Sequence, residues 1–221
     1  MRVMQAVILA AGRGKRMADL TKEVPKPLLK FNGQTLIEQK LAILPPEITE
    51  ILIVVGYLKD KIIAEIGNSY RNIPIKYVVQ NEALGTAHAL WCCREFLYEK
   101  FIVLMSDDIY DQSDISEICQ AKEWAVLIFP SDEKINAGKC LIDEQKNLID
   151  IVEDFNGSIP YNYINTGVCI LDPEIFSIEM TKLSNGEYGL PQTFIKLARE
   201  KKIQTFFTKN WKRITAPQDL H

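Results

Sequence analysis

Histidine is nearly absent from this 221-residue chain, whose two copies, His88 and His221, stand far apart. That scarcity argues against a histidine-centred triad or a histidine-ligated zinc enzyme. The five cysteines are an odd number, include the neighbours Cys92 and Cys93, and show no C-x-x-C spacing. They therefore read as reduced, mostly buried thiols rather than a disulfide framework or a structural zinc site. An excess of positive charge is also missing: 26 Lys and Arg stand against 29 Asp and Glu, a net charge of -3. With no broad basic surface, nucleic-acid binding by phosphate neutralisation has little support. No apolar run approaches the roughly 18 residues of a membrane span, and no signal-peptide pattern precedes the first strand. Repeats and low-complexity linkers are lacking as well. At 47% hydrophobic residues the chain has material for a substantial core. These absences predict a cytoplasmic protein, one domain over 1–221, acting on small molecules and neither on nucleic acid nor at a membrane. A homo-oligomer is left open.

What is present is concentrated near the start. Gln5 to Leu9 is an apolar, β-branched run that ends in Ala10-Ala11-Gly12, small residues that let a ligand approach the backbone. Arg13, Gly14, Lys15, Arg16 and Met17 follow, then Pro25-Lys26-Pro27. A glycine-bearing loop after a buried strand presents backbone N–H groups to anionic oxygens, and mobile cations add charge that can follow a phosphate. Two commoner glycine loops fail on spacing. A dinucleotide fingerprint needs a third Gly where Met17 stands and an acid after the second strand, where Gly56-Tyr57 follows Ile51 to Val55. A Walker loop needs glycines five residues apart and then Lys-Ser or Lys-Thr, whereas Gly12 and Gly14 are one residue apart and Arg16-Met17 follows.

Strand and helix signals alternate through the first half. Thr35-Leu36-Ile37-Glu38 has the form of a capping box and predicts a helix stopped by Pro45-Pro46. Strands are expected over 51–55, 75–79 and 101–105, with helices over 59–66 and 86–97. The second half has shorter strand runs at 125–129, 139–142, 148–152, 163–171 and 203–207, with a helix near 190–200. This rhythm predicts a three-layer, Rossmann-like α/β/α domain with a mostly parallel central sheet. Ligands of such sheets bind beyond the carboxyl ends of the strands, where Gly12, Gln80 and Asp107 fall.

Two further segments carry chemistry. Ser106-Asp107-Asp108 ends a predicted strand, and carboxylates there suit magnesium, a hard cation held by one or two carboxylates plus substrate phosphates. Gln80 precedes Gly85-Thr86-Ala87; a carboxamide offers a donor and an acceptor to the edge of uracil or thymine, and Gly85 admits a base to the backbone. Thr86 also reads as a helix cap, and His88 as structural.

The pattern Leu9-Ala10-Ala11-Gly12-x-Gly14-x-Arg16-Met17, followed by Pro25-Lys26-Pro27, resembles the signature of nucleotidyltransferases that join a sugar 1-phosphate to a nucleoside triphosphate, the NDP-sugar pyrophosphorylases. The resemblance extends along most of the chain and implies the nucleotide-diphospho-sugar transferase fold, with 1–110 holding the nucleotide and 111–221 the acceptor. It implies Arg16, Lys26 and Asp107 as catalytic residues, and Leu9, Ala11, Gly12, Gly14, Lys15, Gln80, Gly85 and Thr86 at the nucleotide. It further implies Gly138, Glu153, Asn165, Gly167 and Glu187 at the sugar, and Mg2+ as cofactor on Asp107.

Two departures stand out. The family's Glu-Lys pair, whose Lys grips the sugar phosphate, reads Glu153-Asp154 here, and the Trp-x-Asp-x-Gly-Thr-Pro pattern reads Trp211-Lys212-Arg213-Ile214-Thr215-Ala216-Pro217. Arg213 replaces the second metal carboxylate and cannot ligate magnesium. The expectation is that Asp108 supplies the second metal carboxylate and Arg213 binds the acceptor phosphate. The expected reaction joins a sugar 1-phosphate to UTP or dTTP and releases pyrophosphate. Two alternatives are a cytidylyltransferase acting on phosphocholine or a similar alcohol phosphate, with Tyr161 and Tyr163 as its aromatics, and a catalytically weak nucleotide-sugar-binding regulatory protein.

Overall fold

The computed structural model describes residues 4–131, 137–154, 162–198 and 200–220; Tyr161 and His221 lie outside them, as does the side chain of Asp154. The central sheet comprises β1 (Met4–Ala10), β2 (Ile48–Val55), β3 (Ile73–Val79), β4 (Phe101–Met105), β5 (Ala125–Pro130), β6 (Ala137–Ile142), β7 (Leu148–Asp154), β8 (Tyr163–Leu171) and β9 (Gln204–Phe207). In space β3, β2, β1 and β4 lie side by side and parallel. Next comes β8, antiparallel to both β4 and β5, and β9 then runs parallel to β5. The antiparallel β6–β7 pair is joined to this sheet through Ile164 and Lys139.

Strand β1 is buried at every position, which is why its sequence is a continuous apolar run rather than an alternating one. Its two faces feed separate cores. Val7 and Leu9 pack with Leu90 of α3 (Thr86–Trp91) and Phe194 of α5 (Leu190–Phe194). Ala6, Ile8 and Ala10 pack on the other side with α1 (Leu36–Ala42), α2 (Lys59–Ile66) and α4 (Gln112–Ile118). The expected three layers follow from this alternation. The buried exception, Gln5, is fully satisfied: its amide donates to Glu50 and to the Phe96 carbonyl and accepts from Tyr98 N–H.

The capping box forms with both reciprocal bonds, Thr35 accepting from Glu38 N–H and Glu38 from Thr35 N–H. Three expected helices are shorter than their sequence signals. Helix α1 ends at Ala42, before the Pro45-Pro46 brake, because the residue preceding a proline is driven out of the α region. Helices α3 and α5 tighten after Trp91 and Phe194, and 3-10 turns follow over Arg94–Phe96 and Ile195–Leu197. The periodicity continued through those residues, but i→i+3 bonding took over. Among the described residues no helix is long and apolar enough to cross a membrane.

Candidate active site

The carboxyl ends of β1, β3 and β4 open onto a cavity of about 780 Å³ lined by Leu9, Ala11, Gly12, Gly14, Lys15, Arg16, Lys26, Gln80, Gly85, Thr86 and Asp107. All the residues expected at the nucleotide are thus brought together. Arg13 and Lys59 also line it, so five cationic side chains surround one concave space. The loop after β1 leads into a 3-10 helix over Lys15–Thr21 through Gly14, whose φ of +62° is the left-handed conformation glycine tolerates. A Cβ on Gly14 would also come within 3.0 Å of the Lys26 stem. The glycine loop and the Pro25-Lys26-Pro27 element are therefore packed against each other, a reason for the two motifs to occur together.

Lys26 is buried, and its Nζ donates to Asp107 Oδ2 at 2.5 Å. Asp107 keeps 28% of its side chain exposed toward the cavity. Asp108 lines a second cavity, where Trp211 Nε1–H donates to its Oδ2 at 3.1 Å. Burial, with the negative charge of Asp107, raises the Asp108 carboxyl to about 7, against the opposing pull of Arg213, Lys26 and the indole N–H. Behind this acid pair, Lys40 of α1 is completely buried over the Tyr110 ring. Desolvation lowers its ammonium to about 8, while Asp108 and Asp107 act to raise it. No motif marked Lys40, because a lysine in an amphipathic helix ordinarily reads as a solvated face.

The second cavity, about 680 Å³, is lined by Gly138, Glu153, Asn165, Gly167, Glu187 and Arg213, all the residues expected at the acceptor. Gly138 and Glu153 are cross-strand partners, so they share a face, and a Cβ on Gly138 would lie 3.3 Å from Glu153 Oε1 and 3.6 Å from Asn165. Asn165 Oδ1 accepts from Gly167 N–H, which leaves its amide N–H groups for a ligand. Arg16, Thr86, Met105, Glu187 and Thr215 line both cavities, making them adjoining halves of one cleft. Arg213 sits over the Trp211 ring at 5.8 Å. Tyr163 packs edge-on against Phe207 and is absent from the cavity lining.

A profile of the Nucleotidyl transferase family matches residues 5–221. The chain belongs to this family. It is 29% identical over 221 residues to the "Bifunctional protein GlmU" of Methanocaldococcus jannaschii, covering 98% of this chain but 52% of that protein. The chain thus spans about half the length of this relative. It is also 29% identical to the "UTP--glucose-1-phosphate uridylyltransferase AglF" of Haloferax volcanii, over 89% of this chain and 84% of that one. Among solved structures, a candidate glucose-1-phosphate thymidylyltransferase of Bacillus anthracis, in complex with sucrose, superposes with a TM-score of 0.85 at 26% identity, covering 99% of this chain and 92% of that one.

Within this nucleotidyl transferase cleft, one sequence reading needs correction. Thr86 does not cap α3: Gly85 occupies the cap position without a side-chain bond, and the Thr86 hydroxyl accepts Leu190 N–H at 3.0 Å. A partner 104 residues away outcompetes the local cap, which is invisible to a local pattern. His88 does more than fill space, because its Nδ1 lies 3.0 Å from Gln80 Nε2. The loop over 80–86 is fastened to the segment over 187–190 a second time, by Tyr188 N–H donating to the Leu84 carbonyl at 2.7 Å. Tyr57 was also missed. Its ring lies under Arg13, and its hydroxyl holds the Lys22 carbonyl, so it braces the cationic loop from α2's side.

Proposed function

We propose that this chain joins a sugar 1-phosphate to UTP or dTTP, residues 1–110 holding the triphosphate and 111–221 the acceptor. The observation that carries the reading is the pair of adjoining cavities: one surrounded by cations, the other by Glu153, Asn165 and glycines suited to hydroxyl groups, with Arg16 common to both. An acceptor phosphate oxygen bonds to the α-phosphorus as the α–β bridging bond breaks, and pyrophosphate carries away the electron pair. No protein nucleophile is needed; the chain's work is alignment and charge neutralisation. Arg16 and Lys15 draw the β- and γ-phosphates, and Lys26 neutralises charge at the α-phosphoryl group. Arg213, which lines the second cavity, takes the sugar phosphate.

The donor set suits magnesium. Asp107 offers one partly exposed carboxylate to the phosphate cavity, and Asp108 a second from the acceptor side, which with substrate phosphates is the ligand supply this ion accepts. Among the described residues no group of three or more His, Cys, Asp or Glu forms a self-sufficient metal site. When bound, the ion supplies charge neutralisation on the phosphates.

Base choice follows from Gln80. The Gly85 carbonyl, which only accepts, lies 3.1 Å from one amide atom, so that atom is Nε2, and its second hydrogen goes to His88 Nδ1. Both donors are spent, leaving Oε1 as an acceptor. Uracil and thymine present an N3–H to such a group; cytosine presents a lone pair. Gln80→Ala should therefore lower discrimination between UTP and CTP by roughly ten- to hundredfold. Unchanged discrimination would remove Gln80 from the base site. Of the two aromatics expected for a phosphocholine acceptor, Tyr163 packs on Phe207 outside the cavity lining and Tyr161 lies outside the described residues, so no aromatic cage among the described residues favours that acceptor.

The deciding experiment crosses UTP, dTTP, CTP and GTP with sugar 1-phosphates and phosphocholine and follows pyrophosphate. Release is expected with UTP or dTTP and a sugar 1-phosphate, dependent on magnesium, and lost in Asp107→Asn. A wild-type chain that binds UTP but releases no pyrophosphate with any acceptor would favour the regulatory reading.

A further inference from the structure

Gln192 lies in α5, on the floor of the acceptor cavity, and matches none of the motifs that drew attention in the sequence. Its Nε2 donates to Glu153 Oε1 at 2.8 Å, across the space between α5 and β7. The carboxylate only accepts, so the amide must face it with nitrogen and turn Oε1 the other way. That Oε1 rests directly over Gly189: a Cβ there would come within 2.0 Å of it. The backbone of Gly189 is ordinary, with φ of -87°, so what this glycine provides is room for the amide rather than an unusual conformation. Gln192 Oε1 receives no hydrogen bond from the described residues.

We propose that Gln192 is a specificity-determining residue of the acceptor site, which fixes the Glu153 carboxylate and itself accepts a hydroxyl, so that the pair selects an acceptor with neighbouring free hydroxyls. The proposal rests on the reading of the second cavity as the acceptor site. With Oε1 of Glu153 engaged by the amide, two further acceptor oxygens remain on this pair, Oε2 of Glu153 and Oε1 of Gln192. Two adjacent hydroxyl donors of a pyranose satisfy both; an alcohol phosphate with no such diol leaves both unpaired. A site built to pair hydroxyls rejects the analogue that lacks one more strongly than an apolar pocket rejects a missing methylene.

The test uses the full chain with UTP and glucose 1-phosphate, against its 2-deoxy and 3-deoxy analogues. Gln192→Met keeps the length and loses both polar atoms. It should raise the glucose 1-phosphate KM by about ten- to hundredfold, leave the UTP KM within about twofold, and shrink discrimination against at least one deoxy analogue by about tenfold. Gly189→Ala, which evicts the amide without touching it, should reproduce that pattern. A raised KM with discrimination unchanged would make Gln192 a brace alone and overturn the proposal, as would an unchanged KM. Should the wild type prove inactive, calorimetry separates the two readings: wild type binding UDP-glucose more tightly than UDP, with the margin lost in Gln192→Met, would sustain the role of Gln192 while the catalytic reading fell. Equal affinities in wild type would sink it.

Discussion

Lys26→Ala is expected to lower the rate of pyrophosphate release by at least about a hundredfold, the scale of losing one preorganised charge beside a developing anion. The loss has two sources in the structure. The ammonium assigned by the proposal to the α-phosphoryl group is gone, and Asp107 loses the partner that holds it at 2.5 Å. The fold should survive, because Asp107 is 28% exposed and water screens its unpaired charge; a stability cost of about 1–2 kcal/mol is expected. Steady-state kinetics beside a thermal melt checks both statements. Near-normal turnover from a folded Lys26→Ala protein would take Lys26 out of the reaction. Arg16→Ala should cost turnover on the same scale, with the KM of both substrates rising, since Arg16 faces both cavities.

Gly85→Ala is expected to be comparably damaging for a different reason. Gly85 has φ of +95° and ψ of -178°, a region open essentially to glycine, and forcing alanine into it costs on the order of 1–3 kcal/mol. The new Cβ would also lie 2.5 Å from the Tyr188 carbonyl oxygen, a contact that only backbone movement relieves. The loop must then part from Tyr188, carrying away the carbonyl that orients Gln80. Turnover should fall by about a hundredfold or more. Gly67→Ala separates strain from collision, because Gly67 has a similar positive φ of +73° but open space around it. It should lower Tm by a few degrees, as Gly85→Ala does, and leave turnover intact. Equal loss of activity in both variants would show that strain, not the Tyr188 contact, is responsible.

The contrast between those two glycines shows which information the sequence carries openly. The phosphate side was legible because its determinants are contiguous: the run from Leu9 to Met17 is one strand end and one loop, and each residue type has a local reason. The parallel core was legible for a similar reason, since strands covered on both faces must be apolar throughout. The acceptor side is assembled from β6, β7, β8 and α5, and its geometry depends on pairings such as Glu153 with Gly138 and Gln192 with Glu153. Resemblance supplied several of those residues by order along the chain, but Gln192 had no local signature. Thr86 was misread for the same cause: its true partner, Leu190, is close only after folding. That Asp107 lines the first cavity and Asp108 the second was also hidden, because adjacent residues at a strand end leave no sequence trace of which cavity each will line.

The two bonds that fasten the base-side loop to the acceptor segment, Tyr188 to Leu84 and Leu190 to Thr86, bear on how such a protein changes its substrates. On the proposed function, base choice and acceptor choice would not be independent modules. A ligand that shifts one segment must shift the other, and any resulting change in affinity is shared equally in both directions. Transplanting residues 80–86 from a relative with a different nucleotide preference should therefore alter sugar affinity as well as base choice. New donor–acceptor combinations on this scaffold are reached by changing both segments together, so substrate pairs, rather than single substrates, are the units in which its specificity can drift.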